Sequence, residues 1–145
     1  MKARIAFGLI ITLFVLALPT NAGGKEQLQK YFSNTAAKVK ATVNPTEKRA
    51  ILNESFQTMS GALDKVEGSG LISKDDRAGI NRFKSALLEK QDELAGRNGY
   101  LRISDEQLNA FSDYVVQDME QADLIISISL ITLLLIAIVL ILLIK

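Results

Sequence analysis

Three oxygen-bearing side chains stand out for their spacing: Glu67, Ser69 and Asp76, spread across the glycine-rich break Lys65-Val66-Glu67-Gly68-Ser69-Gly70-Leu71-Ile72-Ser73-Lys74-Asp75-Asp76. Carboxylates and a hydroxyl converging around a glycine turn are the donor types that a hard cation such as Ca²⁺ takes. Other candidate groups are carboxylate neighbours (Asp75-Asp76, Asp92-Glu93, Asp105-Glu106) and a serine with a lysine downstream (Ser60, Lys65). Adjacent residues on a helix point about 100° apart, so the carboxylate neighbours do not form an acid/base dyad. Near helix starts or on polar faces, such acids are ordinary. The chain has no Cys and no His. That excludes a thiol nucleophile, a thiolate metal site, a serine–histidine relay and a histidine-ligated zinc. Neither a phosphate-cradling glycine loop nor a dinucleotide-binding glycine pattern occurs. No catalytic residue is assigned, no cofactor is expected, and the chain is not expected to be an enzyme.

The 65–76 stretch resembles the calcium loop of the EF-hand family. Gly70 takes the turn position, Ile72 the central apolar position and Asp76 the last ligand position, with Glu67 and Ser69 at the third and fifth. The resemblance implies a weak Ca²⁺ site made by Glu67, Ser69 and Asp76. The first ligand position, however, is Lys65, whose charge repels the ion, and Asp64 falls one residue early. A second break, Leu94 to Asp105, repeats the pattern with Asn98, Gly99, Leu101 and Asp105, and puts Leu94 where an acid belongs. A simpler reading covers both loops and no metal is assigned. A glycine turn lets one apolar residue (Leu71 or Ile72; Leu101 or Ile103) plug the end of a helical domain, and a serine then caps the next helix.

The elements that must position these loops are helices. Asn44-Pro45, Gly68-Ser69-Gly70 and Gly96-Arg97-Asn98-Gly99 divide residues 23–123 into four segments, each with helical periodicity. The first places Leu28, Phe32, Ala36, Val39 and Val43 on one face. The second places Leu52, Phe56, Met59, Leu63 and Val66; the third Ile80, Phe83, Leu87 and Leu94; the fourth Leu108, Phe111, Val115, Met119 and Ala122. Thr46 precedes an acid suited to a first turn, Ser73/Asp76 and Ser104/Gln107 have capping-box spacing, and Gly68 and Gly96 suit helix ends. The expected fold is all-α: an up-down four-helix bundle whose last helix, with no Gly or Pro after Ser104, continues into a single C-terminal transmembrane helix. Residues 23–49 carry net +4 and residues 104–123 net −6, which favours closing the ring between the first and fourth helices. The phenylalanines, one per helix, read as core layers.

Two uncharged stretches bracket this domain. Residues 1–22 read as a secretory signal peptide: Lys2 and Arg4, then the apolar run Ile5 to Leu18, then Thr20-Asn21-Ala22 for cleavage. An uncleaved anchor is the alternative. Residues 124–144 hold no charge, and 16 of the 21 are Leu or Ile. As a helix that is ~31 Å, enough for one crossing. Lys145 follows, and acids from Asp113 to Asp123 precede. Basic flanks stay inside, so the domain 23–123 faces the extracytoplasmic side, periplasmic or extracellular, of a single-pass membrane protein, and residue 145 is its cytoplasmic end. The domain's net charge of −2 argues against nucleic acid. The expected function is a membrane-tethered extracytoplasmic helical interaction module without catalysis. It would meet the lipid bilayer and a protein partner in the membrane or envelope, with homo-oligomerisation left open. The alternatives are a structural accessory subunit of a larger membrane complex and an extracytoplasmic sensor or ligand-binding bundle.

Overall fold

A computed structural model describes residues 24–123 and 128–144, with side chains from Leu28 to Met119 and from Ile131 to Ile144. The N-terminal apolar segment, its cleavage boundary and Lys145 lie outside the described residues. Among those described, the regular structure is helical: α1 (Gly24–Ala41), α2 (Pro45–Gly68), α3 (Lys74–Ala95), α4 (Leu108–Asp123) and α5 (Ile128–Ile144), with a single 3₁₀ turn, Asp105–Gln107, leading into α4.

Local chemistry explains each boundary. α2 begins one residue earlier than the Thr46 signal suggests. Asn44 is the cap, its Oδ1 accepting from the Thr46 and Glu47 amides at 2.8 and 3.3 Å, and Pro45 opens the helix where its missing N–H costs nothing. Ser73 Oγ accepts from the Asp76 amide at 3.1 Å and starts α3. At the α4 approach the Gln107 side chain accepts from the Ser104 amide at 3.2 Å, the reciprocal half of a capping box. Gly96 ends α3 in the left-handed region (φ 75°), its amide donating to Asp92 O at 2.8 Å. Gly68 does not play that part: it is the last residue of α2, the cap is Ser69 in a right-handed conformation, and Gly70 takes the positive φ.

The apolar faces meet as their spacing requires. Phe32, Phe56 and Phe83 are fully buried and Phe111 nearly so, joined by Leu28, Leu52, Met59, Leu63, Ile80, Leu87, Leu94, Leu108, Val115 and Met119. Val43 is the exception, 93% exposed, because α1 stops at Ala41 and carries it past the core. Ala122 lies beyond the described side chains. Each helix of α1 to α4 packs on its neighbours in sequence, and α1 packs along α4, closing a ring. Across that closure Lys40 Nζ pairs with Asp113 at 2.5 Å; from the start of α2, Arg49 pairs with Asp105 at 2.8 Å and Lys48 donates to Asn109 at 2.7 Å.

The described part of the C-terminal segment packs on the domain. α4 is described to Asp123 and α5 from Ile128; α5 lies against α2 and α1, outside the ring, instead of extending away from the domain. No described helix is long and apolar enough to cross a membrane; the described part of α5 has 17 residues, ~25 Å. The physical reason for the docking is that an apolar helix buries one side against the nearest apolar face. Ile131, Leu134, Leu135, Ala137 and Ile138 are buried there, while Ile136, Leu140, Leu143 and Ile144 remain 50–79% exposed. The domain covers one side of α5 and leaves the other in the open.

Candidate functional site

The three residues proposed for Ca²⁺ are engaged with protein. Glu67, on the last turn of α2, faces α3 and pairs with Lys84 at 3.4 Å and Arg77 at 3.5 Å. Ser69 Oγ donates to Val66 O at 2.6 Å and accepts from the Leu71 amide at 3.2 Å, a local turn. Asp76 sits in the first turn of α3, its amide on the Ser73 cap. No cluster of three or more potential metal ligands forms among the described residues. In the second break, Asn98 Nδ2 donates to Asp92 Oδ2 at 2.8 Å and Arg49 takes Asp105. Ile72 and Ile103 are the apolar plugs packed against the core; Leu71 and Leu101 point outward, 73% and 91% exposed.

The adjacent carboxylates part company in the same way. Glu93 turns to Lys90, whereas Asp92 holds Asn98 and Arg97. Asp105 turns to Arg49, whose guanidinium also donates to Ile103 O at 2.5 Å and to Leu94 O at 3.4 Å, tying the α2 start to the α3–α4 connection. These acids are spent on structure.

An open cleft of about 430 Å³ lies between α2 and α3, lined by Ser60, Asn81, Lys84, Ser85, Leu88 and Gln91. Lys84 reaches Asp64 at 2.6 Å as well as Glu67. The Asp64 hydrogen bond, helped by Glu67 and only partly opposed by desolvation, raises its pKa above the ordinary lysine range. A lysine held protonated cannot take a proton from Ser60 or Ser85, so the cleft lacks a primed base. It offers hydroxyls, amides and one neutralised cation to a polar ligand.

Sequence reasoning missed Lys90. Its side chain is 1% exposed, with Nζ 2.6 Å from Asp118, 2.8 Å from Glu93, 3.0 Å from the Tyr114 hydroxyl and 4.1 Å from the Tyr114 ring centre. Burial disfavours the ammonium, yet hydrogen bonds from Asp118, Glu93 and Tyr114 outweigh it and raise the pKa. The signal was present: Lys90 stands three residues after Leu87 and four before Leu94, a cation on the apolar stripe of α3. A second buried polar group sits between α1 and α2. Tyr31 donates to Ser55 O at 2.7 Å, and Thr35 Oγ1 lies 2.9 Å from Ser55 Oγ. Burial pushes the Tyr31 hydroxyl well above its ordinary range, against the hydrogen bonds of Ser55 and Thr58.

The remaining feature is the seat of α5. Helical spacing puts Ile51, Thr58, Gly61 and Ala62 on one side of α2. A Cβ at Gly61 would stand 3.5 Å from Ile141 Cδ1, an ordinary van der Waals contact, so α5 packs over this position with room for a methyl. No family model matches the chain, and no curated protein or solved structure matches it.

Proposed function

We propose that this chain is a membrane-tethered helical interaction module without catalytic activity of its own. In this reading α1 to α4 form an up-down four-helix bundle displayed on the extracytoplasmic side. Residues 124–144 attach it to the bilayer, and a protein of the same membrane or envelope is its partner. The observation that carries the reading is the largely apolar surface of α5, broken among its described exposed side chains by Thr132. One side is buried on α2 and α1, and Ile136, Leu140, Leu143 and Ile144 face outward. A helix whose outward face is apolar but for Thr132 is best covered by lipid or protein on that side as well. The charges favour the stated orientation: Lys2, Arg4 and Lys145 flank the apolar segments, and acids precede the second.

Vesicle flotation of the full chain tests the tether. The wild type is expected to float with phosphatidylcholine vesicles, and the double variant Ile136→Lys/Leu140→Lys to stay behind. Both positions are exposed on α5, so the helical circular-dichroism spectrum should be unchanged. Two charges near a bilayer centre cost ~2.5–3.5 kcal/mol each on insertion scales, enough to reverse partitioning. A wild type that stays at the bottom of the gradient would refute the tether. Protease protection in sealed membrane vesicles of known sidedness then tests the orientation. The cleft between α2 and α3 supports a second reading, a ligand-binding bundle. That reading requires a small polar ligand to raise the melting temperature of the full chain in a concentration-dependent way.

A further inference from the structure

We infer that α5 is a two-position helix. It seats on the α1–α2 face when no bilayer is at hand and leaves that seat for lipid when one is, uncovering the face. The inference rests on the membrane reading above and deepens it.

Three observations lead there. First, α5 has little polarity to fix which way it faces: among its described side chains the exposed polar one is Thr132, on the outward face with Ile136 and Leu140. Its buried residues Ile131, Leu134, Leu135 and Ile138 and its exposed residues Ile136, Leu140, Leu143 and Ile144 are chemically the same. The seat satisfies half of an apolar surface whose other half stays in water, whereas a bilayer satisfies both halves at once. Second, the seat is built for non-specific contact. Ile141 lies over Gly61 with room for one methyl between them, and Ala62 and Thr58 share that side of α2. A strip of small residues receives an aliphatic ridge without locking it. Third, α1 to α4 contact one another around a ring that does not pass through α5, although the buried residues of α5 join their core. α1 to α4 close their own ring around the four phenylalanines. The polar groups between α1 and α2 satisfy one another: Tyr31 with Ser55 O, Thr35 with Ser55 Oγ and with Tyr31 O at 3.1 Å. Removing α5 would uncover a face whose Tyr31, Thr35 and Ser55 groups are already paired and would open the unpaired Thr58 hydroxyl to water.

The chain contains no Cys, so a single engineered thiol reports on the seat. The full-length Gly61→Cys protein is treated with a water-soluble maleimide in lipid-free buffer and again on phosphatidylcholine vesicles. Gln57→Cys, exposed on the same helix, serves as the control. The thiol at position 61 is expected to react slowly without lipid and at least roughly tenfold faster on vesicles, as for a side chain released by local opening. The control thiol at position 57 is expected to react quickly in both. In the double variant Gly61→Cys/Ile141→Cys, a short reducible bis-thiol linker is expected to form an intramolecular bridge without lipid. The bridged protein should fail to float until the bridge is reduced. Flotation of the wild type with unchanged protection of the thiol at position 61 would overturn the inference while leaving the membrane tether standing. Fast labelling of that thiol under both conditions would mean that α5 is never seated, and would also overturn it. A bridge found only between two chains would assign the seat to the α5 of a second copy and refute the two-position helix. Failure of the wild type to float would remove the membrane reading itself.

Discussion

Removing the ammonium of Lys90 while keeping its stem separates the two contributions of this side chain. Lys90 is 1% exposed and holds Asp118, Glu93 and Tyr114 together between α3 and α4. In Lys90→Met most of the stem volume remains. Asp118, already 37% exposed, rehydrates, and the main loss falls on Glu93, which is 13% exposed and loses its counter-charge. Charged hydrogen bonds contribute ~1.5–3 kcal/mol each, but the rehydration of Asp118 returns part of that, so a net loss of about 1–2 kcal/mol is expected. Lys90→Ala also removes three buried methylenes, ~2.4 kcal/mol at ~0.8 kcal/mol each. Its total should reach about 3–5 kcal/mol, the range for breaking a buried ion pair. Urea unfolding of the full chain at pH 7, followed by circular dichroism at 222 nm, measures both. The pH dependence adds a second signature. The folded pKa of Lys90 is raised, so its contribution is complete below the unfolded lysine pKa of about 10.4 and is lost as pH climbs above it. Tyr31, also raised, keeps its proton in the folded state while the unfolded chain ionises above about 10, so it acts in the same direction. Stability should fall on the alkaline side, less steeply in Lys90→Met than in the wild type but not flatly, because Tyr31 remains. A loss below about 1 kcal/mol for Lys90→Ala, or identical alkaline slopes for wild type and Lys90→Met, would refute the buried-cation account.

The remaining expectations concern backbone and loops. Gly96→Ala should destabilise by about 1–3 kcal/mol, because φ is 75° and the new Cβ would sit 2.8 Å from the Arg102 amide nitrogen; Gly68→Ala, at the open end of α2, should stabilise by about 0.5–1 kcal/mol, and thermal melts of the pair with the signs exchanged would contradict the assignment of these two loops. Millimolar Ca²⁺ should leave the melting temperature of the full chain unchanged, since Glu67 is held by Lys84 and Arg77; a rise abolished by Asp76→Ala would restore the calcium reading of the 65–76 loop.

Periodicity was enough to place the four helices of the domain and nearly all of their core. Phe32, Phe56, Phe83 and Phe111 recur once per segment at the spacing that points them inward, and they are buried together. Capping chemistry at Ser73, Ser104 and Gly96 is local and was legible for the same reason. The opposite charges of residues 23–49 and 104–123 announced the closure between α1 and α4, which Lys40 with Asp113 realises, while Arg49 with Asp105 ties the start of α2 to the approach to α4. Other features depend on which surfaces meet in space. The sequence offered Leu71 and Ile72 equally as a plug; only the direction of the chain after Gly70 put Ile72 inward. Ser60 shares a cleft with Lys84, from the facing helix, and the candidate ligands Glu67 and Asp76 are separated because cross-helix cations claim Glu67. Lys90 stood on the apolar stripe of α3, but its partners Tyr114 and Asp118 lie 24 and 28 positions away and come within reach only when α3 packs on α4. The same holds for residues 128–144. Their composition fixes that they avoid water, but a helix apolar on nearly every side carries little instruction about which surface to choose. That choice depends on a neighbouring face, here the small-residue side of α2 around Gly61, and such a face exists only once α1 and α2 have packed.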